Sequence, residues 1–491
     1  MEYLYTKKTD ILRNEEKILL RGMGLGNWLL PEGYMWKFYT KCDRPRRIEE
    51  LICHLCGNDY ANSFWEKYYS SYITEKDIQW IKTQGMNSVR IPINARHMFW
   101  VDTNLDVYFQ KEIIEKLDQC ISWCKKNEIY VFIDMHAAPG GQTGTNIDDS
   151  KDDQPELFMD ETYKNLLIKC WRLLAERYKN EPAVGGYDLL NEPLPEWNKQ
   201  YNRELLPLYR CLIENIREID NKHIIVLEGT HWATDFSIFD EVKKGELGDN
   251  IILEFHKYWN NPDIESLKGF INISKKLEMP LWMGEGGENN LEWYTTAFPM
   301  YERNNIGWCF WSYKKMDTEN SPVSFRMPKN WEKIIEYLDN GKRVQKEEAC
   351  KIFDGFLESL NHPIYQEKVI GALMRRGPVE IPAFAYDAYD VKENREGSVK
   401  FRCSEACSIF FEDLHSGEPD WKRYGGEKQP ETEKMYVKLS ANDKLGYYFS
   451  GEIEHIDYSG EGKICIEKKE DGLIWICCLD NPIELRKIVI Q

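Results

Sequence analysis

Two glutamates stand where a charge needs a reason. In GGYDLLNEPLPEW, residues 185–197, the apolar pair Leu189–Leu190 runs straight into Asn191, Glu192 and Pro193; in PLWMGEGG, residues 280–287, Glu285 interrupts a strand-like run. A carboxylate at the end of a buried strand is costly unless it is paired or used. Other polar or aromatic residues sit in similar runs: Arg90 in SVRIPI, His136 ending IYVFIDMH, His256 and Tyr258 in EFHKY, and Trp311 in CFWSY. Two carboxylates from different strands beside a base suit acid/base and nucleophilic chemistry at a glycosidic bond. One protonates the leaving oxygen and the other attacks the anomeric carbon. Glu192 takes the acid/base role, which needs a pKa raised by desolvation and by an anionic neighbour. Glu285 takes the nucleophile's role, kept ionised by Arg90 and the Tyr258 hydroxyl. Glu228, in VLEGTHW, is a third carboxylate, expected to order a loop or to lie at the rim.

Those side chains must be brought together by their elements. Between residue 17 and about residue 340, β-rich runs at 17–25, 87–93, 129–136, 183–191, 223–229, 250–258, 280–287 and 305–313 alternate with amphipathic helical stretches. TEKDIQWIKTQG is one such stretch, opened by a capping Thr74 and closed by Gly85. Eight β-then-α units predict the α/β class and a (β/α)8 TIM barrel, with the polar strand ends on its catalytic rim. An open doubly wound sheet is the alternative, but GMGLGN (22–27) lacks the spacing of a dinucleotide-binding turn. Two long excursions leave C-terminal strand ends: an aromatic-rich insert at 26–73 and a polar, Gly-rich loop at 138–160. The barrel domain is expected over 1–361, a linker over 362–379, and a smaller all-β sandwich over 380–491, where GSVKFRC, CSIFFED, KMYVKLS, LGYYFSG, GKICIEKK, GLIWICCL and LRKIVIQ read as strands. Such a module either contacts sugar or buttresses the barrel, and the buttress is the favoured expectation.

Composition narrows the partners. Sixty-four Lys and Arg against 82 Asp and Glu leave a net charge of −18, which argues against nucleic acid and anionic membrane. Seventeen Trp and 28 Tyr supply flat amphipathic rings, the surfaces on which sugars stack. The N-terminal MEYLYTKKTDILRNEEKILL does not have the pattern of a signal peptide, and the 14 scattered cysteines lack a secreted disulfide spacing, so a reducing, cytoplasmic setting is expected. Cys42, Cys53, His54 and Cys56 form the densest metal-like cluster. No second pair follows at zinc-knuckle spacing, and RRIEELICHLCG reads as a helix ending at Gly57, so these are expected to be packing residues.

SVRIPI, DMHAAPGGQ, LLNEPL, HKY, GEGG and FWSY, in this order, resemble the motif set of glycoside hydrolase family 5 of clan A. RGMGLGNWLLPEGY with HAAPGGQTG is most similar to its exo-β-1,3-glucanase-like branch, and the resemblance spans residues 20–340. It implies a retaining β-glycosidase with no metal and no cofactor, acting on a carbohydrate substrate. By that resemblance Glu192 is the acid/base and Glu285 the nucleophile. Asn191 binds the sugar 2-hydroxyl, His136, His256 and Tyr258 line the subsite, Arg90 holds the nucleophile, and Trp311 is the stacking floor. Glu32 corresponds to an acid that grips a terminal glucose, which implies exo action on β-glucan oligosaccharides or β-glucosides. Asn27, Pro31, GEGGENN, the leading insert and the β module depart from that branch. The other readings are a β-glycosidase for a glycolipid or diglycoside, with the 26–73 insert as an apolar wall; an endo-β-glucanase; and, in a different class, a catalytically silent carbohydrate-binding barrel.

Overall fold

Each of the eight expected runs forms a parallel strand, and the strands are here numbered β1 (Arg21–Gly24), β2 (Ser88–Asn94), β3 (Tyr130–Ala137), β4 (Val184–Asp188), β5 (Ile224–Glu228), β6 (Ile251–Lys257), β7 (Leu281–Gly287) and β8 (Gly307–Trp311). In the computed structural model, which describes all residues except 40, 393–395 and 406, they close into a barrel in sequential order. The ring is sealed by Met23 of β1 opposite Phe310 of β8. Side chains alternate between faces along a strand. In β2, Val89, Ile91 and Ile93 join the apolar shell shared with the helices, whereas Arg90 reaches the charged groups of the interior.

That interior is two-layered. Its lower half is apolar, built from Phe132, Val226, Ile252, Trp282 and Cys309. Two residues further along the same strands come Asp134, Glu228, Glu254, Gly284 and Trp311, so one step of the pleat converts an oily layer into a charged one. The bottom is plugged by a feature absent from the expectations: an antiparallel sheet of Tyr5–Lys7, Asp10–Arg13 and Glu16–Lys17, whose Ile11 packs on the lower layer beside Leu4 and Leu20.

The insert after β1 folds into helices Pro45–Cys56 and Asn58–Ser71. They are fixed by aromatic packing: Trp36 stacks on Phe356 at 4.4 Å and Phe38 on Trp331 at 5.4 Å. Cys42 and Cys56 lie in this core, and all 14 cysteines are free. The helix Glu75–Thr83 starts at the expected Thr74, whose backbone N–H and hydroxyl both donate to Asp77 Oδ2. No helix among the described residues is long and apolar enough to cross a membrane.

Residues 362–379 are not the expected linker. Ile364–Tyr365 pairs with Val323–Phe325, and Glu367–Met374 is a helix whose Val369, Ile370, Ala372 and Leu373 are buried. Its apolar spacing, EKVIGALM, outweighs the MRRGP signal that follows. Beyond it the β module holds two antiparallel sheets, one containing Val379–Pro382, Ile483–Ile490, Met435–Leu439, Ser408–Phe411 and Ile453–Gly460, the other Ala388–Asp390, Lys444–Tyr447, Ile474–Cys478 and Ile464–Lys468. GSVKFRC forms no strand and contributes only the isolated bridge between Val399 and Gly417. The strand Ile453–Gly460, half polar throughout, was not expected.

Arg375 docks module and barrel together. Buried, it donates to Thr295 O (2.7 Å) on a barrel helix, to Ala385 O (2.5 Å) and to Asp387 (2.5 Å), a residue that also pairs with Arg303. Losing Arg375 leaves the buried Thr295 and Ala385 carbonyls without this donor and Asp387 with Arg303 as its remaining cation, so Arg375→Ala should destabilise the protein by about 2 to 4 kcal/mol. A lowered urea midpoint would register this, and an unchanged midpoint would refute it.

Candidate active site

Arg90 stands in the centre of the upper barrel with no exposure to solvent. A guanidinium offers five N–H donors in a planar fork, and here all its faces are used. Nε donates to Asp188 Oδ2 at 2.8 Å; Nη2 donates to Asn191 Oδ1 at 2.9 Å and Glu228 Oε1 at 3.0 Å. Nη1 pairs with Asp134 Oδ2 at 3.1 Å and donates to Glu285 Oε1; Glu254 Oε1 lies 3.4 Å from Nε. One positive charge therefore faces five carboxyl groups, and they cannot all be ionised. Burial, only partly offset by Arg90, pushes Asp134 and Asp188 up to about 7. Burial, then Asp188, raises both Glu228 and Glu254 well above the usual range.

The two candidate carboxylates are differently supported. Burial raises the Glu285 pKa, but Arg90, His136 and the Tyr258 hydroxyl, which donates to Glu285 Oε2 at 2.7 Å, oppose the rise. Glu192 is pushed well up by burial and then by Glu285. Its side chain meets His256 Nδ1 at 2.6 Å. One oxygen of each glutamate and a His256 nitrogen lie within 4.8 Å of one another. The site thus presents a carboxyl that holds its proton beside one furnished with cationic and hydroxyl donors.

Local backbone explains how Glu192 gets there. β4 ends at Asp188, three residues earlier than the sequence pattern indicates, and Asn191 N–H donates instead to Met135 O at 3.1 Å on β3. Glu192 and Leu194 then adopt left-handed φ values of 45° and 55°, a strained conformation for residues with a Cβ. Glu228 holds the turn by accepting the Glu192 N–H at 2.6 Å. Glu228 is therefore not at the rim: it is fully buried, ordering Glu192 from below. In β7, the register shifts between Met283 and Gly286, and such an irregularity can re-aim a side chain. Gly284 is required beside it, because a Cβ there would lie 1.5 Å from Glu254 Oε1.

Both candidate histidines are neutral. Burial lowers His136 to about 4 and takes His256 well below its usual value, with Arg90 adding to the latter. His136 Nδ1 is 2.7 Å from Asp134 Oδ2 and its Nε2 is 3.3 Å from Asn191 Nδ2, so Nδ1 carries the proton. His256 lies between two acids, Nδ1 on Glu192 and Nε2 at 3.2 Å from Glu254 Oε1. A neutral imidazole has one N–H, so one of these acids donates to the other nitrogen.

Trp311 stacks parallel to His136 at 5.3 Å and donates Nε1–H to Tyr34 Oη at 3.0 Å. Its ring fills space left by Gly24 and Gly26, where Cβ atoms would come within 2.6 and 2.7 Å of it. Tyr34 donates to Glu288 Oε1 at 3.0 Å, which also accepts from Lys315 at 2.7 Å. Glu32 is buried with Oε1 unpartnered, on the wall of the same cavity. Asn27, one of the departures from the branch pattern, shapes this turn by accepting from Glu32 N at 3.1 Å and Trp36 Nε1 at 2.8 Å. The cavity, about 690 Å³, is lined by Glu32, His136, Glu192, His256, Tyr258, Glu285 and Trp311, while Arg90 and Asn191 lie beneath it.

Asp134, Asp188, Glu254, Gln142 and Glu288 were not foreseen. Gln142 clamps two loops, donating to His136 O (2.7 Å) and Asn191 O (2.9 Å). Asp134 and Glu254 precede His136 and His256 by two residues, the strand repeat that puts both members of each pair in the barrel. Asp134, His136 and Glu285, and likewise Glu228, Glu254 and His256, have ligand atoms close enough for a metal. Arg90 already contacts four of these six residues, so the guanidinium itself supplies the compensating cation.

The chain matches the family model described as Cellulase (glycosyl hydrolase family 5) over residues 54–317. It is similar to a beta-xylosidase of Phanerodontia chrysosporium, 30% identical over 259 residues that cover 52% of each chain. Endoglucanase C of Acetivibrio thermocellus is 26% identical over 312 residues, covering 52% of this chain and 88% of that one. A glucan 1,3-beta-glucosidase of Lachancea kluyveri is 27% identical over 273 residues, covering 52% of this chain and 60% of its own. The chain thus spans about half the length of the beta-xylosidase.

Asp134 and Asp188 bind their protons more tightly folded than unfolded. Their contribution to stability is full below the ordinary aspartate range and is lost as pH rises toward about 7. Relative to the Asp134→Asn/Asp188→Asn variant, the wild type should therefore lose more than about 1 kcal/mol of unfolding free energy between pH 4 and pH 8. Urea titrations at both pH values check the sign.

Proposed function

The chain belongs to glycosyl hydrolase family 5, and within it we propose a retaining β-glycosidase that releases terminal sugar from β-glucan oligosaccharides or β-glucosides. The observation that carries this reading is the unequal carboxyl pair, Glu192 and Glu285, with oxygens within 4.8 Å across one cavity. That spacing supports double displacement, since inverting enzymes hold their carboxyl groups about 6.5 to 9.5 Å apart to admit a water. Glu285, oriented by Arg90 and Tyr258, attacks the anomeric carbon while Glu192 protonates the departing oxygen; Glu192, now anionic, then activates the water that releases the sugar. Asn191 is held by Arg90 and His136 and binds the 2-hydroxyl, His136 and His256 line the subsite, and Trp311 is the floor under the sugar ring.

Glu32 supports exo action, because its unpartnered buried oxygen suits a sugar hydroxyl at a closed end. A bulky aglycone gains little from the insert: of the described residues in GYMWKFYT, Met35, Trp36 and Phe38 are core residues, and Tyr34 and Tyr39 line the cavity. The names of the relatives, a beta-xylosidase, an endoglucanase and a glucan 1,3-beta-glucosidase, support a β-linked substrate.

A 2-fluoro β-glucoside should label Glu285, identifiable by peptide mass. Glu192→Ala and Glu285→Ala should each lower kcat/KM on unactivated substrates by about 10³ or more, roughly 4 kcal/mol of barrier. Only Glu192→Ala should keep its first step on good leaving groups and be rescued by azide. A label on Glu192, or azide rescue of Glu285→Ala alone, would reverse the roles.

A further inference from the structure

The cavity is not walled by the barrel alone. Gly425, Gly426 and Glu427, from the β module, line it together with Tyr39 and Trp259. This turn is fastened to loops of the barrel rim. After β8, Asn320 Nδ2 donates to Gly426 O at 3.0 Å and Glu319 N–H donates to Glu427 O at 2.8 Å. After β7, Asn289 Nδ2 donates to Trp421 O at 3.3 Å, and after β6, Asn261 accepts from Trp421 Nε1 at 3.1 Å. Gly425 leaves no room for a side chain, since a Cβ would lie 2.7 Å from the Trp259 indole nitrogen. The Glu427 carboxylate turns toward the insert, 3.5 Å from Lys37 Nζ, and both side chains are largely buried. Among the described residues Glu427 is the counter-ion of Lys37, and burial lowers the Lys37 pKa.

The position of this turn on the ring gives it a direction. Glu192, after β4, donates to the leaving oxygen, so the leaving group lies on its side, toward Trp232 and Thr234 of the loop after β5. β8 is four strands from β4 either way round a closed ring of eight. The loops after β6, β7 and β8 hold the turn, centred three strands from β4, and Lys37 of the segment that carries Glu32 pairs with it, so it faces the part of the substrate that the enzyme retains. We propose that the Gly425–Glu427 turn, with Glu427 paired to Lys37 and flanked by Tyr39, is the end wall of the glycone pocket, so that the β module limits the retained portion to one terminal sugar. This inference rests on the retaining, exo-acting reading. It makes the β module a specificity element rather than only the expected buttress.

The test uses the full chain and two substrates with one leaving group: 4-nitrophenyl β-glucoside and the 4-nitrophenyl glycoside of a β-1,3-linked glucose disaccharide. Release of intact disaccharide is read by chromatography beside nitrophenol. The wild type should favour the single-sugar glycone by at least about tenfold in kcat/KM, and Glu427→Ala should raise the disaccharide-to-glucoside ratio by about tenfold or more. Tyr39→Ala, at an exposed position that places no burden on folding, should move the ratio the same way, whereas Glu427→Gln, which keeps the bulk of the wall, should stay near the wild type. A series of leaving groups on the glucoside should keep the same slope in Glu427→Ala, which a general loosening of the site would not. If neither alanine variant shifts the ratio, the inference is overturned alone; if the wild type releases the intact disaccharide as readily as glucose, the one-sugar limit and the terminal-sugar reading fall together while the retaining chemistry stands. If the wild type turns over neither glycoside, the functional reading falls and takes the inference with it.

Discussion

The upper half of this barrel depends on one guanidinium. Barrel interiors are ordinarily filled by branched apolar residues in layers, and the lower layer here conforms. Above it Arg90 of β2 contacts carboxyls from β3, β4, β5, β6 and β7, so a single side chain spans most of the ring where apolar packing is missing. The arrangement holds only because protons supply what one positive charge cannot. With burial raising the pKa of all five acids, protons and hydrogen bonds make up the balance around Arg90, and the site favours an anion where donors are densest. Glu285 is the natural holder of that anion, since it alone among them combines Arg90 with a tyrosine hydroxyl.

Much of this was legible in the sequence. All eight strands fall on the runs that β-rich patterning marks, β2 and β3 each ending one residue beyond, because each strand carries a continuous apolar face toward the helices. Seven of the nine candidate site residues line one cavity, and the other two, Arg90 and Asn191, are bonded to each other beneath it. What stayed hidden follows from how pattern reading works. Asp134, Asp188 and Glu254 sit inside runs read as apolar strands, and nothing in the pattern tells a buried carboxyl from one on the solvent face. Glu228, expected to order a loop or to lie at the rim, does the first, because the ring carries it inward beneath Glu192. The helix at 367–374 was masked by the Pro-containing stretch after it, and the strand 453–460 by its polar, half-exposed composition. The 425–427 turn could not be read at all, because its place at the mouth depends on contacts with residues more than 100 positions away.

Departures from the family pattern acquire reasons once the structure is in view. Asn27 has a left-handed backbone, φ 63°, and accepts two hydrogen bonds that seat the Glu32 turn. A short polar side chain suits that conformation better than most others do. GEGGENN places Glu288 where it joins Tyr34 and Lys315, and Tyr34 in turn holds the Trp311 indole. The insert and β module, which look like additions to a barrel, are thus continuous with the floor and walls of its cavity.

His256 shows how the buried acids bear on the proposed reaction. When Glu192 is a carboxylate it accepts from Nδ1–H, leaving Nε2 bare, and Glu254 must then be the protonated acid that donates to it. When Glu192 carries the proton, it donates to Nδ1, and Nε2–H donates to an ionised Glu254. Both states fill every hydrogen bond of the imidazole without a net charge change along the Glu192–His256–Glu254 line. A retaining glycosidase needs its acid/base in both forms within one turnover. Burial that merely raised the Glu192 pKa would favour the first half-reaction at the expense of the second. In turnover the proton that Glu192 gives to the leaving oxygen comes off this line and is returned by the attacking water, so a His256 Nδ1–H that donates to Glu192 meets the carboxylate formed between the two steps.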